Sequence, residues 1–321
     1  TGAAQELVEA GITNDGSMVY SLSETGEYTE DIPTGVDAGE YTVWYRVKGD
    51  KNHNDSEPAS VKVTVNKAEA SCTAPVAKNL TYTGAAQELV TAGSTNDGSL
   101  VYSLEQDGTY TTDIPTGVNA GDYKVWYKVE GDSNHKDSEP ASVEVKIERR
   151  SITPKDFVIA DKTYDGNAAA EITSVSFDNL VIGETLEIGK DYTVTGEFNS
   201  ADVKTADKVT AAVELADSVK NYKLVKTTID KEASIAKAES QCTALVANEL
   251  TYTGEAQELV KAGSTEHGDM LYSLEQNGTY TSEIPTGVNA GDYNVWYRVI
   301  GDDNHNDSNP ASVKVTVNRA D

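Results

Sequence analysis

The stretch Asn119–Ile147, NAGDYKVWYKVEGDSNHKDSEPASVEVKI, decides the fold, and it occurs three times nearly unchanged, at residues 37–65, 119–147 and 289–317. Trp44, Trp126 and Trp296 mark the copies: the second lies 82 residues after the first (126 minus 44), and the third 170 after the second (296 minus 126). Gly2, Gly84 and Gly254 keep the same offsets to His53, His135 and His305, and to Pro58, Pro140 and Pro310, so no insertion interrupts a copy. A period this long exceeds a solenoid unit and implies an array of whole small domains. The second gap leaves room for one further domain of different sequence between copies two and three.

Within the quoted stretch, DYKVWYKVE alternates with period two. Tyr123, Val125, Tyr127 and Val129 share one face, and Lys124, Trp126 and Lys128 the other. In ASVEVKI, Val143, Val145 and Ile147 point inward while Glu144 and Lys146 point out. Outward from there, SCTAPVAKNLTY reads as a first strand, Thr83-Gly84 as a turn, QELVTAGS as a second strand and LVYSLEQ as a third. Seven or so short strands in about 80 residues predict a two-sheet β-sandwich. Abundant Val, Thr and Tyr suit strands with one buried and one wet face.

The formal net charge of -27 disfavours nucleic acid and anionic lipid, which both require a basic face. No apolar run is long enough to span a membrane, so no membrane insertion is expected. Copy one opens at Thr1, the counterpart of Thr83, and so lacks the first-strand sequence. The chain therefore reads as a fragment, with an open sheet edge in copy one. Cys72 and Cys242 occupy the same place in copies two and three with a whole domain between them, too far apart for the roughly 6 Å a disulfide needs. The junctions VNKAEASC, KIERRSIT and IAKAESQC contain no Gly or Pro and are expected to run directly from one strand into the next.

Asn119-Ala120-Gly121-Asp122-Tyr123-Lys124-Val125 follows the D-x-G-x-Y-x-C pattern that opens the F strand of immunoglobulin domains, with Val in place of Cys; Asp37–Val43 and Asn289–Val295 repeat it. Tyr41, Tyr123 and Tyr293 are thus candidates for a structural tyrosine corner, in which the hydroxyl bonds a nearby backbone group. The wider pattern Y-T-G-x-A-Q-E-L-V … Y-S-L … I-P-T … A-G-x-Y-x-V-W-Y-x-V … G-D-x-N-H-x-D-S resembles the tandem bacterial immunoglobulin-like (MBG-type) repeats of Gram-positive surface proteins. The middle segment, with Asp161-Lys162-Thr163-Tyr164-Asp165-Gly166 and Asn221-Tyr222-Lys223-Leu224, resembles the YDG domain that accompanies them. The resemblance covers essentially the whole chain. It implies a β-sandwich fold, export, an extracellular place at the bacterial cell surface or in the secreted fraction, and no catalytic residues.

The expected architecture is therefore all-β, with four tandem immunoglobulin-like β-sandwich domains in an elongated array. Its boundaries are 1–67 (first strand missing), 68–148, 149–236 for the YDG-like sandwich, and 237–321. Trp44, Trp126 and Trp296 fall on the outer face by parity and are unchanged while their outward neighbours Thr42, Lys124 and Asn294 differ. They are either surface rings covered by the stems of Arg46, Lys128 and Arg298, or ligand-contact platforms for a sugar ring or host protein. Asp50 and Asp55, Asp132 and Asp137, and Asp302 and Asp307 supply clustered oxygen atoms that a Ca²⁺ could use. The same loops lack the glycine and distal glutamate of an EF-hand and read equally as Asx-rich turns. The histidines have no second His, Cys or Ser at catalytic or zinc-site spacing.

These features point away from an enzyme and require no cofactor. The first expectation is a monomeric, non-catalytic stalk or spacer of a surface protein. The alternatives are adhesin repeats binding a host glycoprotein, immunoglobulin or glycan, and an accessory spacer of a secreted carbohydrate-active enzyme.

Overall fold

The computed structural model describes all 321 residues, and every regular element in it is a β-strand. The chain divides into two compact units, Thr1–Arg150 and Ser151–Asp321.

In the first unit, copy two is built around the strand Gly121–Gly131. It pairs antiparallel with Gly98–Ser103 on one side and Ala141–Glu148 on the other, and Leu80–Thr81 closes a four-stranded sheet by running parallel to Ile147–Glu148. Val125 and Val129 are fully enclosed, as the period-two reading requires, and Val145 and Ile147 join them from the next strand. Short ladders supply the other layer: Val76–Ala77 with Val90–Thr91, and Gln87–Glu88 with Thr116–Gly117. Leu89 and Val90, from this layer, are 0% exposed. Each such side chain removed from water contributes about 1.5–3 kcal/mol before the entropy of ordering it is counted.

The expected first strand, 71–82, is not continuous. Val76–Ala77 pairs in the layer of short ladders, whereas Leu80–Thr81 pairs in the large sheet. The chain crosses between layers at residues 78–79, and the single apolar run breaks into two short pieces. The expected second strand divides likewise, into Gln87–Glu88 and Val90–Thr91.

Copy one repeats the plan with three strands in the large sheet: Gly16–Ser21, Gly39–Gly49 and Ala59–Val65. No strand lies beyond Ala59–Val65. Val63 and Val65 are consequently only half-buried, where their counterparts Val145 and Ile147 are 3% and 0% exposed.

The middle segment, which enters the second unit one residue into its first strand, forms a three-stranded sheet ordered Ile172–Asp178, Arg150–Ile159, Tyr222–Leu224 and a four-stranded sheet ordered Ala169–Ala170, Tyr192–Phe198, Lys208–Leu215, Thr228–Glu232. Phe157, Phe198, Val209, Ala211 and Ile235 pack into one core. Copy three rebuilds the plan of copy two, with Leu250–Thr251, Ala311–Asn318, Gly291–Gly301 and Gly268–Ser273 in that order across its large sheet. Leu259 and Val260 from its short ladders pack with Val295, Val315 and Val317 from that sheet. The fold is an all-β sandwich used repeatedly.

The linkers before copies two and three are strands themselves. Ala68–Glu69 pairs parallel with His135–Lys136, and Ala238–Glu239 with His305–Asn306.

Candidate functional site

The tyrosine corners have the same geometry in all three copies. The hydroxyls of Tyr41, Tyr123 and Tyr293 each donate to the carbonyl four residues upstream, Asp37, Asn119 and Asn289, at 2.8 Å. A glycine lies against each ring: a Cβ added to Gly117 would stand 2.8 Å from Cζ of Tyr123, and Gly35 and Gly287 are equally confined. A second tyrosine serves as an acceptor. The Tyr20 hydroxyl takes the Gly11 N–H at 2.6 Å, and that of Tyr102 takes the Gly93 N–H at 3.1 Å. For Tyr272, the third member, burial raises the phenol above its ordinary range, opposed by the Gly263 N–H.

Trp44, Trp126 and Trp296 are half-buried on the outward side of their strands. Each lies between two serines across the sheet; for Trp126 these are Ser103 and Ser142. The basic residues two positions on carry their charged ends to other rings. Arg46 stacks over Tyr28 at 4.7 Å, Lys128 over Tyr110 at 5.1 Å and Arg298 over Tyr280 at 4.8 Å. Those tyrosines sit on turns far along the sequence, fixed by hydroxyl bonds to Glu24, Gln106 and Gln276 carbonyls. In copy two alone, Lys124 approaches the indole, at 5.0 Å from the Trp126 ring. Beside it a shallow groove of about 430 Å³ is lined by Asp122, Tyr123, Lys124, Glu144, Val145 and Lys146. Trp126 is thus a half-buried ring with a lysine over it, beside a groove bordered by alternating charges.

The Asp-x-Asn-His loops are tight turns. Asp132 Oδ1 accepts the backbone N–H of Asn134 at 2.8 Å and of His135 at 3.0 Å, and the His135 ring Nδ1–H at 2.8 Å. The His135 bond, followed by that from Asn134, holds the Asp132 carboxyl below the usual aspartate range. Asp302 is lowered in the same way, by the His305 ring bond first, and Asp50 first by the Asn52 N–H and then by His53. Asp55, Asp137 and Asp307 each accept the N–H of the glycine at the loop's start: Gly49 at 3.0 Å, Gly131 at 2.9 Å and Gly301 at 2.9 Å. The two aspartates of a loop thus point their oxygens at different backbone groups. No three His, Cys, Asp or Glu side chains converge as a metal-binding group anywhere in the chain. Cys72 and Cys242 are free thiols.

Asn134 and Asn304 are not among the residues that the sequence singles out, yet their side chains reach out of their own copy. Asn134 meets the Asp37-Ala38 turn of copy one, and Asn304 the Asp202-Val203 turn of the middle segment. The available signal was the constancy of Asp, Asn and His in this loop while the residue between Asp and Asn changes from Lys51 to Ser133 to Asp303.

In the middle segment, Lys162 Nζ lies 2.8 and 2.9 Å from the two Asp165 oxygens and donates to Asn167 Oδ1 at 3.3 Å. This closes the Lys-Thr-Tyr-Asp-Gly turn and fixes Tyr164, whose ring meets His305 edge-on at 5.3 Å.

Residues 148–229 match the YDG domain family. No curated protein matches the chain. Among solved structures, immunoglobulin domains 1–5 of Sidekick-1 align over 99% of this chain and 78% of that one, at 11% identity and a TM-score of 0.26. The human Desmocollin-1 ectodomain aligns over 99% of this chain and 78% of its own, at 10% identity and a TM-score of 0.24. The S-layer protein rSbsC(31-844) aligns over 95% of this chain and 50% of its own, at 15% identity and a TM-score of 0.20. The YDG match falls on the segment that separates copies two and three of the repeat.

Proposed function

We propose that the chain is a non-catalytic spacer from the stalk of a bacterial cell-surface protein, made of four tandem modules at 1–67, 68–148, 149–236 and 237–321. The observation that carries this reading is the hydrogen-bonded state of the linkers before copies two and three. Ala68–Glu69 and Ala238–Glu239 are laid as strands onto the following copy, an arrangement suited to transmitting position and poorly suited to a flexible tether. The resemblance of the repeats to surface-protein modules, with the YDG match between them, supports an extracellular place. A net charge of -27 favours a soluble, monomeric chain. The spacer would carry a functional domain located elsewhere in the protein, a carbohydrate-active enzyme being one such cargo.

A second reading is supported by one specific observation, the half-open indoles recurring in three copies. They suit adhesin repeats that engage a host glycoprotein, immunoglobulin or glycan, since multivalency raises avidity by roughly 10²–10⁴ without new contacts. The deciding experiment screens the full chain against glycans and host proteins beside a variant with Trp44, Trp126 and Trp296 all changed to Ala. A spacer gives no specific binding in either sample. Binding by the parent that disappears in the folded variant replaces the spacer with the adhesin.

A further inference from the structure

The Asp-x-Asn-His loop does its bonding in two directions. Inward, it grips the linker that enters its own copy. Lys67 Nζ donates to the Asp132 carbonyl at 2.8 Å, the Ala68 N–H donates to the Asn134 carbonyl at 2.9 Å, and Glu69 pairs with Lys136 at 2.6 Å. Outward, the Asn134 amide straddles a turn of the preceding copy: its Oδ1 accepts the Ala38 N–H at 2.8 Å, and its Nδ2 donates to Asp37 Oδ1 at 3.0 Å.

The same arrangement recurs where copy three follows the middle segment. Lys237 Nζ donates to the Asp302 carbonyl at 2.8 Å, and the Ala238 N–H to the Asn304 carbonyl at 3.0 Å. Asn304 Oδ1 accepts the Val203 N–H at 2.9 Å, and its Nδ2 donates to Asp202 Oδ1 at 3.2 Å. The receiving segment has a different sequence and different sheets from copy one, yet it offers the same pair of groups, an aspartate oxygen followed by the next residue's N–H. The Asn amide suits this pair, because its oxygen accepts and its neighbouring nitrogen donates. Two receivers of unrelated sequence meeting one donor loop with one bonding pattern identify a recognition element rather than a chance contact.

We propose that the Asp-x-Asn-His loop is a module-docking element. Its Asn reads an Asx oxygen and the next residue's N–H on a turn of the preceding β-sandwich, while the Lys-Ala-Glu linker is held against the same loop, so that two adjoining modules are fixed in orientation. The partner it fits is a sandwich presenting an Asx oxygen and the following backbone N–H on one turn. Asp132 and His135, with their counterparts, serve as positioning residues that hold the loop in shape. Tyr164 adds an aromatic edge to His305 at the second joint, and Lys204 an ion pair to Asp303 at 3.6 Å. This role is compatible with either reading of the chain's function, and its test contains no ligand, so failure of the spacer reading and failure of the joint are seen separately.

The test measures spin-label distances by electron–electron double resonance in the full chain with Cys72→Ser and Cys242→Ser. One label pair, at Lys62→Cys and Glu144→Cys, spans the first joint; another, at Glu214→Cys and Lys314→Cys, spans the second. All four positions are exposed. Asn134→Ala should broaden the first distribution about twofold and leave the second unchanged, with Asn304→Ala doing the converse, because unfastened neighbouring domains move by default. Asp37→Ala, made on the other side of the joint, should reproduce the broadening. Asp37→Asn should not, because an amide oxygen accepts as a carboxylate does, and copies two and three already carry Asn119 and Asn289 there. Thermal unfolding of each variant confirms that its modules remain folded. Unchanged widths in Asn134→Ala and Asn304→Ala overturn the proposal, as does equal broadening at both joints from either single change.

Discussion

Tyr123 shows how one residue joins sequence to fold. Its hydroxyl closes on the Asn119 carbonyl, and Gly117 lies flat against its ring because a Cβ there would stand 2.8 Å from Cζ and 3.0 Å from Ile147 Cδ1. Two substitutions separate these contributions. Tyr123→Phe removes one hydrogen bond and should cost about 0.5–1.5 kcal/mol. Gly117→Ala must displace the ring or the backbone beneath it and should cost more, about 1–3 kcal/mol. Urea unfolding followed by Trp126 fluorescence, in a chain whose other two tryptophans are Phe, reports on copy two alone; a midpoint unmoved by Gly117→Ala would show that the contact yields freely. The bond from Tyr123 was legible because the D-x-G-x-Y pattern is local. The stacking of Lys128 was not. Its ring partner Tyr110 lies on a turn 18 positions back (128 minus 110), and strand parity carries no information on which outward aromatic a long basic side chain will choose.

Among the elements, the long strands were readable and the short ladders were not. Gly121–Gly131 and Ala141–Glu148 each bury one face of one sheet, so period two survives along their length. Residues 76–81 change layers midway, which breaks the period and the strand together. The Asp132–His135 loop gives the element-scale prediction. Bonds from the His135 ring and from Asn134 hold the Asp132 carboxyl below its ordinary range, and the Ser71 N–H and hydroxyl do the same for Asp97, which faces His135 at 3.6 Å. A carboxyl whose folded pKa is depressed contributes stability above its unfolded pKa of about 3.9, and loses that contribution as pH falls through the lower folded value. Asp132→Ala should therefore lower the unfolding midpoint of copy two at pH 6, with the gap from the parent closing below about pH 4 as the parent's own carboxyl protonates. A gap independent of pH would assign the loss to packing instead of to the charged hydrogen bonds.

At the scale of the whole chain, three copies of one sequence serve as controls for one another. In copies two and three the last long strand is paired on both sides: Ala141–Glu148 lies between Gly121–Gly131 and Leu80–Thr81, and Ala311–Asn318 between Gly291–Gly301 and Leu250–Thr251. In copy one, Ala59–Val65 is paired on one side only; Val61 is 41% exposed and Val65 half-buried, whereas Ile147 and Val317 are enclosed at 0% and 2%. Two losses follow from that missing strand: edge amides are left open to water, and the apolar face that the strand would cover contributes less to the core. Local opening should thus cost least in copy one although its sequence is nearly that of the others. Hydrogen exchange monitored by mass spectrometry should show the peptide covering 59–65 exchanging well before those covering 141–148 and 311–318, which should resemble each other. The Tyr41 corner and the Gly16–Ser21 hairpin, intact in copy one, should keep 39–49 protected, so the loss should concentrate at the edge. Equal protection of all three last strands would mean that the Gly39–Gly49 hairpin alone stabilises the sheet and that the added short strand contributes little.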